Sequence, residues 1–144
     1  WAKLEDAAEL PATPALAPIR AELLASIRAC TVHRLALPAD KGGAETFVIM
    51  PGLTDEQAAK GAALPWVVRP HGGPHAMSAS TFLVDLALLL DAGVAILLPN
   101  YRGSLGYGKP FAESLLGRAG EMDVTDVAEL TRLALATFPL GAAE

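Results

Sequence analysis

The chain has 144 residues, 52% of them hydrophobic and 19% charged, with a formal net charge of −5; this is one domain's worth of chain, too apolar for a disordered protein. With a pI of about 5.1 and no Lys/Arg cluster, it lacks the electrostatic footprint of a nucleic-acid binder. The single cysteine, Cys30, excludes an internal disulfide and a cysteine-based zinc site, and it fits a reducing compartment such as the cytoplasm.

Residues 1–18 carry Pro11, Pro14 and Pro18, which breaks any continuous helix. We expect 1–30 to be a linker or the remnant of an upstream region, position 1 being Trp rather than Met, and Leu23, Leu24 and Ile27, flanked by Arg20 and Arg28, predict a short helix over 19–29. Residues 31–144 are then the domain proper. Thr31–Leu37 and Glu45–Met50 alternate in strand fashion around the turn cluster Pro38–Gly43, predicting an antiparallel pair. His33 on the first of these strands reads as a surface residue. A polar, alanine-rich excursion at 54–63 precedes a third strand, Pro65–Arg69.

The apolar window Phe82–Leu98 is interrupted by Asp85, Asp91 and Gly93, so it predicts a helix followed by a buried strand rather than a membrane span. No signal-peptide pattern precedes it. Ser80 or Thr81 is expected to cap the helix, which runs to about Ala92 and closes at Gly93 in positive φ. Being apolar on most sides, it should be covered by other elements. Val94–Pro99 has the continuous apolar character of a central parallel strand. Strand 65–69, this helix and strand 94–99 make a βαβ unit, whose functional loops lie at the C-terminal edge of the strands. A last helix, Met122–Phe138, presents Val124, Val127, Ala128, Thr131, Ala134, Leu135 and Phe138 on one face. Asp123 and Asp126 lie near its start, where the helix dipole favours carboxylates.

Two loops fall on that C-terminal edge. The first, His71-Gly72-Gly73-Pro74-His75, is either a tight strand-to-helix turn or a pocket whose freed backbone aims N–H groups at an anion. The second, Asn100–Gly108 (NYRGSLGYG), is glycine-rich but lacks both the P-loop ending and GxGxxG spacing, and no helix is expected directly after it because Lys109 and Pro110 intervene. No GxSxG string is present: Gly103-Ser104-Leu105-Gly106 has the wrong spacing, and Ser78, Ser80, Ser104 and Ser114 read as cap and loop residues. His71 and His75 do not have zinc-site spacing. No metal and no cofactor are implied.

The segment HGGPH, followed by NYRGSLGYG and then by GEMDVTDV, resembles the α/β-hydrolase domain of the prolyl oligopeptidase family of serine peptidases, nearest its acylaminoacyl-peptidase (acylamino-acid-releasing enzyme) branch. The resemblance is firm over 64–130 and weaker over 31–63. It implies an α/β fold comprising the N-terminal part of an α/β-hydrolase: an antiparallel strand pair, a βαβ unit and a further helix, with an incomplete sheet. It implies that the Gly73 backbone N–H belongs to an oxyanion hole, that Gly72 and His71 shape the loop, and that Tyr101 and Arg102 belong to a supporting loop. In that family the triad runs Ser, Asp, His and begins after the 122–138 helix, so its residues are not expected in this chain, which would be an inactive fragment. The implied reaction is release of N-acylated amino acids, the partner a peptide with a blocked N-terminus. Two alternatives stand beside it: a non-catalytic module that associates with a full-length hydrolase, and part of an esterase or lipase. An open sheet edge also makes a homo-oligomer possible.

Overall fold

A computed structural model describes residues 17–52 and 64–138. The predicted excursion at 54–63, the first sixteen residues and the helix-ending Pro139 and Gly141 lie outside them. In chain order the elements are α1 (Ala17–Arg28), β1 (Thr31–Ala36), a 3-10 turn (Ala39–Lys41), β2 (Glu45–Met50), β3 (Trp66–Val68), α2 (Val84–Asp91), β4 (Ala95–Asn100), α3 (Lys109–Glu113) and α4 (Met122–Thr137).

The four strands form one open mixed sheet in the order β1-β2-β4-β3. β1 and β2 are antiparallel, Thr31 opposite Met50 and Ala36 opposite Glu45. β2 also runs antiparallel to β4, with Phe47 opposite Leu98. β3 and β4 are parallel, with Val67 opposite Ile96. The fold is α/β, with the predicted strand pair, βαβ unit and further helix in the predicted order.

Every residue of β4 is buried. A strand feeds alternate side chains to opposite faces, and both faces of this one are covered. Ala95 and Leu97 join Val48, Met50 and Ala134 on the α4 side, whereas Ile96 and Leu98 join Ile49, Leu86 and Leu90 on the α2 side. The continuous apolar run is the sequence expression of that double burial. α1 lies against α2, with Ile27 buried.

Three expectations are corrected. α2 begins at Val84, not at 81, because Leu83 at its N-cap is extended (φ −130°, ψ 133°) and no side chain caps the helix; Ser80 and Thr81 lie in the stretch before it. Its C-terminal side is as expected, Gly93 having φ 79°. Among the described residues α2 buries only Leu86, Ala87 and Leu90, leaving Val84 and Leu88 exposed. Second, α3 does start directly after the glycine loop, at Lys109 with Gly108 as its N-cap and Pro110 in its first turn. There a proline's missing N–H has no intrahelical acceptor to lose, and its fixed φ suits the helix. Third, α4 is rotated from the predicted face: Met122, Asp126, Leu130 and Ala134 are its buried row, while Val124 and Leu135 are exposed.

Candidate active site

Because β3 and β4 are parallel neighbours, the chain leaves both at the same edge of the sheet. The last rung is the Arg69 N–H donating to Leu97 O at 2.9 Å. Beyond it the backbone turns through His71–His75. Gly73 adopts φ +132°, and a Cβ there would lie 2.8 Å from His75 N, so only glycine fits without strain. The Gly72 and Gly73 N–H groups donate to no acceptor among the described residues.

Asn100, the last residue of β4, is fully buried. Its Oδ1 accepts from Ser78 N–H at 2.7 Å and its Nδ2 donates to Ser78 O at 2.9 Å, a two-point clamp on the far end of the turn. Leu105 N–H adds a bond to Ala76 O at 2.8 Å. At the near end the Tyr101 ring stacks on His71 (centroids 4.6 Å apart, planes 18° apart), and the Tyr101 hydroxyl donates to His71 O at 2.7 Å.

Ser104 is buried to 0% exposure. Its hydroxyl has one proton, which goes to Tyr101 O at 2.6 Å. The His71 Nε2, 2.8 Å from the same Oγ, must therefore carry its own hydrogen and donate it. The His71 ring is thus fixed by stacking on one side and a hydrogen bond at its tip. Burial pushes the Tyr101 phenol up, with a smaller push from the Asp123 carboxylate.

The loop holding Tyr101 and Ser104 is itself tied to α4. Asp126, 1% exposed, accepts from Arg102 backbone N–H (2.9 Å), Nε (2.9 Å to Oδ2) and Nη2 (2.6 Å to Oδ1). These bonds hold the guanidinium charged, above its ordinary range. The dipole explanation of Asp126 is corrected accordingly: its carboxylate faces the sheet edge because a fork of donors meets it there. Asp123 does sit at the helix start, its Oδ1 accepting from Gly120 N–H at 2.7 Å. On the other side of Arg102, a Cβ at Gly42 (φ +95°) would come within 2.8 Å of Nε. That glycine lets the guanidinium rest on the β1–β2 turn.

Two concavities flank His71. On the α2 side a pocket of about 290 Å³ is bordered by Arg69, His71, Gly72, Ser78 and Leu98. On the α4 side a mainly apolar groove of about 440 Å³ is bordered by Pro70, His71, Tyr101, Asp123, Val124 and Val127. Part of the predicted apolar stripe of α4 therefore lines a groove and not the core. The predicted residues His71, Gly72 and Gly73 come together with Tyr101; His33 lies elsewhere, on β1, bonded to Thr31 Oγ1 and tilted on Phe138. Asn100, Ser104 and Asp126 were not anticipated as site residues. Among the described residues no group of three His, Cys, Asp or Glu could hold a metal ion, and no helix is long and apolar enough to cross a membrane.

The sequence pattern of the prolyl oligopeptidase family matches residues 80–142. The acylamino-acid-releasing enzymes of Homo sapiens and Mus musculus are 40% and 47% identical to the chain over 83 residues, 58% of this chain and 11% of each of theirs. The chain thus spans about a tenth of the length of these relatives. Among solved structures, acylaminoacyl peptidase from Pyrococcus horikoshii superposes with a TM-score of 0.69 at 26% identity, over 80% of this chain and 18% of that one. A puromycin hydrolase superposes with a TM-score of 0.62 at 28% identity, over 78% and 17%. Over residues 80–142 the chain matches the prolyl oligopeptidase family of serine peptidases, and in sequence and in fold it is similar to part of the α/β-hydrolase domain of the acylaminoacyl peptidases.

Proposed function

We propose that these residues supply the oxyanion-hole loop of a serine peptidase that releases N-acylated amino acids from peptides. The observation that carries this reading is the Gly72–Gly73 turn. Its amides have no acceptor among the described residues, it sits at the C-terminal edge of a parallel strand pair, and a second loop fixes both its ends. An acyl transfer reaction needs such a preorganised N–H where negative charge develops on the carbonyl oxygen. In this reading Gly73 N–H meets the oxyanion, and Gly72 and His71 hold the turn in shape. The attacking serine comes from outside these 144 residues, which contain no GxSxG string. The substrate is a peptide with a blocked N-terminus and the working compartment is the cytoplasm.

The test is kinetic. In the protein that carries these residues, hydrolysis of an N-acetylamino acid p-nitroanilide should be blocked by an organophosphonate. Gly73→Ala should lower kcat about 10²–10³-fold, with KM changed far less. Equal hydrolysis of the unacetylated substrate would overturn the substrate assignment. Labelling of the 144-residue chain itself by a fluorophosphonate would overturn the assignment of the nucleophile.

A further inference from the structure

Among the described residues, the buried polar side chains include Asp126 and Ser104, which have no part in the chemistry just described. They are the two ends of one continuous set of contacts. Asp126 grips both the backbone N–H and the guanidinium of Arg102, so it fixes the position and the rotation of that residue. Arg102 follows Tyr101 directly, and Tyr101 meets the turn twice, through its ring and through its hydroxyl on His71 O. Three residues after Tyr101, Ser104 accepts from the Nε2–H of His71 and donates its own hydroxyl to Tyr101 O. From the carboxylate on α4 to the peptide group of His71, the connection runs through hydrogen bonds, the Tyr101–Arg102 backbone and a ring stack.

We propose that Asp126 is a positioning residue for the His71–Gly73 turn, acting through Arg102, Tyr101 and Ser104 to set where the Gly72 and Gly73 amides point. A carboxylate in a helix that served only to anchor α4 would have no need to bond the Arg102 main chain as well as its side chain. The backbone bond transmits the helix position to the loop, and the side-chain bonds prevent the loop from rotating about it. The proposal rests on the oxyanion reading only for its purpose; the coupling itself is a property of this chain and can be measured without any reaction.

The experiment uses the ¹⁵N-labelled 144-residue chain, comparing wild type, Asp126→Asn, Glu129→Gln and Ser104→Ala by NMR. Glu129 belongs to the same helix but pairs with Arg132 and Lys41, so Glu129→Gln removes the same charge without touching Arg102. Asp126→Asn should move the Gly72 and Gly73 amide resonances and speed exchange of the His71 Nε2–H about tenfold or more, the scale of one lost hydrogen bond. Val48 and Leu97 in the sheet should stay in place. Ser104→Ala should give the same displacement at Gly72 and Gly73 without altering the Arg102 Nε resonance, and Glu129→Gln should give neither. If Asp126→Asn does not fold, Arg102→Lys, which keeps the charge and loses the fork, takes its place with the same expectation. Gly72 and Gly73 amides at their wild-type positions in the folded Asp126 or Arg102 variant would overturn the proposal. Displaced amides in an enzyme whose kcat ignores Gly73→Ala would instead leave the coupling standing and remove the oxyanion reading.

Discussion

Asn100 offers the sharpest test of how the turn is held. Its side chain is fully buried, and both of its polar atoms bond the main chain of Ser78, with the Tyr107 side chain as a further partner. Asn100→Leu keeps the branching at Cγ and strands one N–H and one C=O. At about 1–3 kcal/mol for each buried group left unpaired, and with Ser78 only partly buried, the loss should be about 2–4 kcal/mol. Asn100→Asp is more informative. One carboxylate oxygen still accepts from Ser78 N–H, but the other replaces the donor and faces Ser78 O. Protonation turns that oxygen into a donor and removes a buried charge, so the folded state should hold the proton more tightly than the unfolded chain, whose carboxyl titrates near 3.9. The folded pKa is raised, so stability is greatest below the unfolded value and declines as pH rises through the folded one. Urea unfolding followed by far-ultraviolet circular dichroism should show the Asp variant close to wild type near pH 4 and well below it near pH 7. The Leu variant should show a gap that does not change with pH. An Asp gap independent of pH, or a Leu variant within about 0.5 kcal/mol of wild type, would refute the clamp.

Three further outcomes are expected. Burial raises the Tyr101 phenol above its ordinary value near 10, so the folded chain keeps a proton that the unfolded chain has lost. Stability should therefore hold below about pH 10 and fall beyond it, and Tyr101→Phe should decline less steeply in urea midpoints taken from pH 8 to 11. Leu97 has no exposed surface between β4 and α4, and Leu97→Ala should cost about 2–5 kcal/mol in the same denaturation assay. Cys30 is pushed up chiefly by burial, so its reaction with a disulfide reagent near pH 8 should be slower than that of a free thiol and should catch up in urea.

What the sequence made legible was what its local pattern encodes. The run Val94–Pro99 announced a strand covered on both faces, Gly93 marked a helix end, and the glycines of the His71 turn announced a backbone bent for close approach. What escaped it was long-range. Asp126 lies 24 residues from Arg102 and Ser104 lies 33 from His71, and nothing near a lone Asp or Ser names a distant partner. A signal was present all the same: Asp126 occupies the i, i+4 row of Met122, Leu130 and Ala134, and a carboxylate on an apolar row predicts a buried cation. The helix starts failed for a different reason. Thr81 is a good cap by type, but capping depends on where the backbone turns, and the chain stays extended through Leu83. Pro110 reads as a helix breaker by type, but at the first turn of α3 it is an initiator.

The pairing of β2 with β4 has a kinetic consequence. Phe47 meets Leu98 roughly fifty residues along the chain, so the sheet cannot grow outward from one hairpin. The β1–β2 hairpin can form by itself, closing only a short loop, but it gains its apolar neighbours only when β4 arrives with α2 already turned back over it. Ordering of that kind is slow compared with local helix or hairpin formation. Until β4 docks, the newly made hairpin offers a bare strand edge at β2, and in that interval partner chains at high concentration compete with the strand that belongs there.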